Sequence, residues 1–179
     1  MNKPIVLVVN DDGVTAPGIK ALQEALAPYA NIWVVAPERE RSASGMALTV
    51  HNPIRFSAIA DQWYSVTGTP VDCVFMAFDQ ILPSRPDWVI TGINRGGNLG
   101  SDTLYSGTVA AAHEAALRGV RTMAVSCEAI HSEDSKKSSD GLYYETAGLV
   151  AAQLFESRDE LNLPLGKILN VNVPSVPAT

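Results

Sequence analysis

Basic residues, cysteine and histidine are all scarce in this chain of 179 residues. Lysine and arginine number 13 against 19 aspartates and glutamates, giving a formal net charge of −6. A surface with that balance lacks the basic patches that hold a nucleic-acid duplex or an anionic membrane, so neither is expected as a partner. Cysteine occurs only as Cys73 and Cys127, without the close spacing that zinc binding or dithiol chemistry needs. Reduced, partly buried thiols in a cytoplasmic protein are the expectation. His51, His113 and His131 have no carboxylate at ligand spacing and are read as structural or solvated. No apolar run approaches the roughly 20 residues of a membrane span, and the first strand begins with no charged and apolar leader before it. A cytoplasmic location follows as an expectation.

What is abundant is apolar sequence in short blocks. Ile5-Val6-Leu7-Val8-Val9 is an unbroken apolar run of strand-forming residues, the pattern of a parallel strand buried on both faces. It runs into Asn10-Asp11-Asp12-Gly13. In open α/β sheets ligands gather beyond the carboxyl ends of the strands, which is where Asp11 and Asp12 fall. Successive side chains on a strand point to opposite faces, so both acids can serve one site only if the chain turns, and Gly13 supplies the turn. Adjacent carboxylates repel, and a cation between them keeps both ionised.

The rest of the chain alternates strand and helix patterns. A helix opens near Thr15, with Pro17 in its first turn, and carries Ile19, Leu22 and Leu26 at helical spacing. Ile32-Trp33-Val34-Val35-Ala36 is the next strand and completes a β-α-β crossover. The loop behind Pro37 holds Ser42. Leu48-Thr49-Val50, Ile54-Arg55-Phe56 and Trp63-Tyr64-Ser65-Val66 predict a small β excursion beside the main sheet. Thr69-Pro70-Val71-Asp72 has the form of a capping box, with Val74, Phe75, Phe78 and Ile81 on the buried face of a scaffold helix.

Trp88-Val89-Ile90-Thr91-Gly92-Ile93 predicts another central strand, ending in Asn94 and a loop in which Gly92, Gly96, Gly97 and Gly100 recur. So many glycines raise the entropy cost of ordering and make sense where backbone turns sharply or approaches a ligand. Ser106-Gly107-Thr108 then opens a helix over 109–117. Its hydroxyls and free N–H groups suit phosphate, and they suit ordinary N-capping as well. Residues 120–126 predict a strand, 128–140 a mobile polar loop, 143–155 an amphipathic helix with Leu149 and Leu154 inward, and 168–173 a last strand before an unpacked tail. The expected fold is a single α/β domain over 1–179, a Rossmann-like three-layer sandwich with a mostly parallel central sheet and the small β excursion.

Three segments at the carboxyl edge therefore converge: Asp11 and Asp12, Ser42, and Asn94. Two carboxylates, an amide oxygen and a hydroxyl favour one magnesium, manganese or calcium ion over zinc. Asn98, Ser106, Gly107 and Thr108 would hold phosphate oxygens, with Asp11 or Asp12 orienting an attacking water. The chemistry this predicts is phosphate-ester hydrolysis, with Asp11, Asp12, Asn98 and Ser106 as the catalytic set. A covalent aspartyl-phosphate route is disfavoured, because the nucleophile's place in an Asp-x-Asp-Gly alignment is taken by Asn10, an amide. A signalling receiver domain is disfavoured too, since Asn94 and Ser126-Cys127-Glu128 stand where its phosphoacceptor and lysine would be.

Five motifs in order carry a resemblance. Val9-Asn10-Asp11-Asp12-Gly13 with Ala16-Pro17-Gly18, Val35-Ala36-Pro37 with Arg41-Ser42-Ala43-Ser44-Gly45, Thr67-Gly68-Thr69-Pro70-Val71-Asp72-Cys73, Gly92-Ile93-Asn94-Arg95-Gly96-Gly97-Asn98 and Tyr105-Ser106-Gly107-Thr108-Val109 are similar to the signatures of the SurE survival-protein family. The resemblance implies a metal-dependent phosphatase of nucleoside 5′- and often 3′-monophosphates, sometimes of short polyphosphate. It further implies metal ligation by Asp11, Asp12, Ser42 and Asn94, with magnesium or manganese expected, and a homodimer or homotetramer. Family members continue past a strand like 168–173 into a segment that embraces a neighbouring subunit. The chain stops at Thr179, so the expectation is a domain without that extension, and the rival reading is a nucleotide-binding module without turnover.

Overall fold

The computed structural model describes residues 3–129 and 142–178. Seven strands form one sheet in the order β3-β4-β2-β1-β5-β6-β7. They are β1 (Ile5–Val9), β2 (Asn31–Pro37), β3 (Phe56–Ala60), β4 (Trp63–Val66), β5 (Trp88–Arg95), β6 (Arg121–Glu128) and β7 (Ile168–Pro174). Every neighbouring pair is parallel except the β3/β4 hairpin. Four α-helices complete the layers: α1 (Pro17–Leu26), α2 (Pro70–Met76), α3 (Gly107–Leu117) and α4 (Tyr144–Glu156).

The period of two along β1 shows why the sheet is covered on both sides. Val6 and Val8 join Ile19, Leu22 and Leu26 of α1 and Ala147, Ala151 and Phe155 of α4 in one core. Leu7 and Val9 point the other way, into a core with Val74 of α2 and Ala111 and Ala115 of α3. The predicted three-layer α/β sandwich is the fold observed.

Several local expectations need correcting. The hairpin does not stand beside the sheet: β4 pairs in parallel with β2 and extends the sheet's edge, while Leu48-Thr49-Val50 forms no strand. Thr15 does not cap α1. Ala16 occupies the cap position without a side-chain bond, and the entry is set by Pro17 at the first helical turn. Leu149, expected inward on α4, is 51% exposed, because α4 lies against α1 through small residues. A Cβ on Gly148 would sit 3.1 Å from Ala21 O and 3.1 Å from Ala25 Cβ. The tail is not unpacked either, since Tyr143 N donates to Ser175 Oγ at 2.8 Å and Thr146 Oγ1 to Val176 O at 2.6 Å. The loop expected over 128–140 lies, from 130 onward, outside the described residues, as does His131.

The capping box is as predicted. Thr69 accepts from Asp72 N, and Asp72 accepts from Thr69 N, at the start of α2. That helix is shorter than its periodicity suggests, and passes into a π-helical turn over Ala77–Ile81. His51 and His113 are exposed.

Candidate active site

The strand order reverses direction between β1 and β5. The chain leaves β1 for β2 on one side and later returns to β5 on the other, so the connections diverge at the carboxyl ends of these two strands. A crevice opens there. Asp11 and Asp12 follow β1 on one wall, and Asn94 and Arg95 end β5 on the other.

The turn that presents the two acids is closed by Asn10. Fully buried, its Nδ2 donates to Gly13 O at 2.9 Å and its Oδ1 accepts from Gly13 N at 3.2 Å. Gly13 sits at φ 103°, a conformation that other residues adopt only with strain. Asp11 is buried, and both its oxygens are engaged at the start of α3: Thr108 Oγ1 donates to Oδ1 at 2.5 Å and Thr108 N to Oδ2 at 3.2 Å. Burial raises the Asp11 pKa above 3.8, and the Thr108 hydrogen bonds oppose that rise. Asp12 is half-buried and its Oδ2 accepts from Arg95 N at 3.1 Å, which places its carboxylate on the end of β5. Burial, then the neighbouring Asp11 charge, pushes its pKa up to about 6.

The loop after β2 is drawn in by Arg41 N, which donates to Asp11 O at 2.7 Å. Ser42, the next residue, is exposed, with its hydroxyl donating to Glu40 Oε1 at 2.7 Å. On β5 the pairing with β6 slips between Thr91 and Asn94, a bulge that re-aims the end of the strand. Asn94 Nδ2 donates to Gly96 O at 2.8 Å, which holds the amide in one orientation.

Five of the eight expected residues line one cavity of about 230 Å³: Asp11, Ser42, Asn94, Asn98 and Ser106. Asp12, after β1, is outside the lining, with its carboxylate bonded to Arg95 N at the end of β5. Gly107 and Thr108 stand behind Asp11 rather than in the lining. A Cβ on Gly107 would come 2.7 Å from Ser44 Oγ and 2.9 Å from Asp11 Cβ, so this close approach requires glycine. Ser106 is also the N-cap of α3, its Oγ accepting from Val109 N at 3.1 Å. Ser106 therefore caps the helix, one of the two readings offered by the sequence, and also lines the cavity.

Asn98 is the most tightly held residue of the glycine-rich loop. Its N–H donates to Asn172 Oδ1 at 2.7 Å, its Nδ2 to Ser126 Oγ at 2.8 Å, and its carbonyl accepts from Asn170 Nδ2 at 2.8 Å. Asn170 and Asn172 were missed from sequence. Their signal was polar residues at i and i+2 in an otherwise apolar strand, on one face of β7. Two further residues escaped notice: Tyr105 and Asp102 line the same cavity. Ser44 is a third, a buried hydroxyl without a protein partner.

Comparison with known proteins accords with this geometry. The family model for survival protein SurE matches residues 6–179. A 5′-nucleotidase SurE of Geobacter metallireducens is 49% identical over 96% of this chain and 65% of its own length, and one of Geobacter sulfurreducens is 49% identical over 97% and 63%. The crystal structure of SurE protein from Aquifex aeolicus superposes with a TM-score of 0.85 at 38% identity, covering 97% of this chain and 67% of that one. The chain thus spans somewhat less than two thirds of the two Geobacter relatives. The family match over nearly the whole of the span shows that the chain belongs to the SurE survival-protein family.

Proposed function

We propose that this chain carries a metal-dependent phosphatase site for nucleoside monophosphates, 5′ first and 3′ as well, releasing nucleoside and phosphate. The observation that supports it best is the meeting of Asp11, Ser42 and Asn94 oxygens with Asn98 and Ser106 in one cavity at the switch point of the sheet. Several relatives that match nearly the whole of this chain bear the name 5′-nucleotidase. That shared name gives no support to a binding module without turnover.

The residues fit one divalent metal ion. Among the described residues no three His, Cys, Asp or Glu side chains are grouped to hold a metal, which argues against a nitrogen- and sulfur-rich zinc centre. What the crevice offers is oxygen: the carboxylates of Asp11 and Asp12, the hydroxyl of Ser42 and the amide oxygen of Asn94. Such a set suits a hard cation, magnesium or manganese. Burial raises the pKa of both acids, and the Asp11 charge adds to the rise at Asp12, so a cation beside them would favour their ionised forms. When bound, the ion supplies Lewis-acid polarisation of the phosphoryl group and acidification of a water.

The protein's part is placement. Thr108 fixes Asp11 with two donors. Asp12 keeps one carboxylate oxygen without a protein donor among the described residues, and so can orient a water. Ser106 accepts from Val109 N and retains its own O–H to donate to a phosphate oxygen, and Asn98 is held against the same cavity. Charge that develops on the phosphoryl oxygens meets these fixed dipoles. The water oxygen bonds to phosphorus as the ester bond to the nucleoside oxygen breaks, and the proton that the water loses is balanced by the one the nucleoside oxygen takes up as it leaves as a hydroxyl.

The test is phosphate release from adenosine 5′-monophosphate with manganese, compared with chelator and with Asp12→Asn. Turnover that needs metal and falls by at least a hundredfold in the variant is expected; equal turnover with chelator would refute the reading. We also propose a homodimer or homotetramer, supported by Val50, Leu104 and Tyr105, which stand 74%, 73% and 66% exposed. Sedimentation checks it. No helix among the described residues is long and apolar enough to cross a membrane. Cys73 and Cys127 are buried and are not joined to each other in a disulfide, which supports a cytoplasmic setting.

A further inference from the structure

Three arginines surround a second cavity, on the other side of the loop that carries Ser42. It has a volume of about 430 Å³, and its walls include Arg39, Arg41 and Arg55, with Thr49, Asn52 and one acid, Glu38. In a chain of net charge −6 this is a local reversal of sign. Among the described residues the ion pairs are Lys20 with Glu24 and Arg118 with Asp79 and Glu114, so none of these three arginines has a carboxylate partner. Three arginines against one acid, Glu38, leave the pocket lining with an excess of positive charge, and an anion relieves it.

Arg41 is held in place. Its Nη2 donates to Thr67 O at 2.9 Å, while its Nε is buried and has no hydrogen-bond partner. Buried donors in proteins are nearly always satisfied, and a guanidinium N–H left over beside a cavity asks for an acceptor from outside. Arg55 is anchored by its backbone: its N–H donates to Thr67 Oγ1 at 3.0 Å, and its carbonyl accepts from Thr67 N. Two of the three cations therefore start from one fixed point, Thr67, at the end of β4. Guanidinium forks match the several acceptor oxygens of a phosphate better than those of a single carboxylate, and three arginines line this one cavity.

We propose that the cavity of Arg39, Arg41 and Arg55 is a second oxyanion site, which binds a phosphate group on a small molecule. It is separate from the cavity of Asp11, and the two share a wall. The backbone of Arg41 is tied to Asp11, its side chain lines the second cavity, and the next residue, Ser42, lines the first. The phosphate has two sources with the same chemistry: a free inorganic anion, or the remote phosphate of a substrate whose reacting phosphate lies near Asp11. The proposal itself does not rest on hydrolysis in the first cavity.

The test uses the whole chain, metal-free in chelator, titrated calorimetrically with pyrophosphate. Saturable binding is expected that weakens with salt and falls at least tenfold in Arg39→Gln/Arg55→Gln. Both positions are exposed, and neither side chain has a hydrogen bond among the described residues, so the melting curve of the double variant should overlay the parent's. Asp12→Asn, which disables the first cavity, should bind pyrophosphate as the parent does; this separates failure here from failure of the phosphatase reading. No saturable binding, or equal binding by the double variant, overturns the proposal. A KM that rises at least fivefold in the double variant for adenosine 3′,5′-bisphosphate, and not for the 5′-monophosphate, assigns the site to a substrate's remote phosphate. Unchanged KM for both, with orthophosphate displacing pyrophosphate, assigns it to a free anion.

Discussion

Replacing Asp12 by asparagine should stabilise the metal-free protein while removing its response to metal. The carboxyl of Asp12 is raised from 3.8 to about 6 by burial and by Asp11. A group held above its unfolded value favours the folded state while protonated, and that contribution is complete below pH 3.8. It is lost as the pH rises through 6, because the folded state then carries a buried anion that the unfolded chain would solvate. The full difference is about 3 kcal/mol at 1.36 kcal/mol per pKa unit. Asp12 is only half-buried, so solvent screening reduces this to about 1–2 kcal/mol. At pH 8 in chelator, Asp12→Asn should therefore melt roughly 2–8 °C above the parent, from about 2–4 °C per kcal/mol for a chain of this size. At pH 4.5 about a third of the gap should remain by the same linkage. Asparagine keeps an oxygen to accept from Arg95 N, so no hydrogen bond is sacrificed in the comparison. Manganese at a hundred times its dissociation constant should add about 2.7 kcal/mol to the parent and far less to the variant. Scanning calorimetry of both proteins at the two pH values, with chelator and with manganese, gives every number needed. If Asp12→Asn melts at or below the parent at pH 8 without metal, or keeps the parent's full rise with manganese, the picture of two buried carboxylates awaiting a cation is wrong.

Gly107→Ala should cost about 1–3 kcal/mol through overpacking and lower phosphatase activity at least tenfold, since its Cβ would press on Ser44 Oγ and Asp11 Cβ; denaturant melts and steady-state rates check both. Asn172→Ala strands the Asn98 N–H and should lower kcat/KM by about tenfold, near 1.4 kcal/mol, while manganese affinity measured by calorimetry stays unchanged. Thr108→Val removes the hydroxyl that opposes the rise of the Asp11 pKa, so the acid limb of the pH–rate profile should move to higher pH. Thr69→Ala breaks the capping box of α2 and should lower stability by about 1 kcal/mol with activity intact.

Local signals were legible where one segment decides the outcome. The continuous apolar run at β1, the capping box at Thr69 and the glycine-rich stretch after β5 each state a backbone choice within a few residues. Expectations failed where a partner far away in sequence decides. Leu149 fits an inward position by helical period, but α1 meets α4 through Gly148, Ala21 and Ala25, whose small size turns the helix so that Leu149 faces out. The hairpin was placed beside the sheet because nothing local tells that β4 will pair in parallel with β2. The site shows the same division. That Asp11, Ser42 and Asn94 would meet could be read from strand ends alone. That Asn170 and Asn172 would hold Asn98 could not, since those bonds cross more than 70 positions of sequence.

The structure of α3 joins these two levels. Its start carries Ser106, which caps the helix and faces the cavity, and Thr108, whose N–H and hydroxyl both go to Asp11. The positive end of the helix thus lies against the more deeply buried of the two acids and lowers the cost of keeping it charged. Asp12 has one backbone N–H and no helix end, and lies next to Asp11. The fold therefore supports one negative charge from within and leaves the second to be met by something it does not itself supply. That asymmetry is the physical argument for the proposed cation. Had α3 neutralised both acids, the crevice would be a stable, closed hydrogen-bond network with little reason to bind an ion. Because the donors of α3 reach Asp11 and not Asp12, the charge at Asp12 is the one that the proposed divalent metal would relieve most.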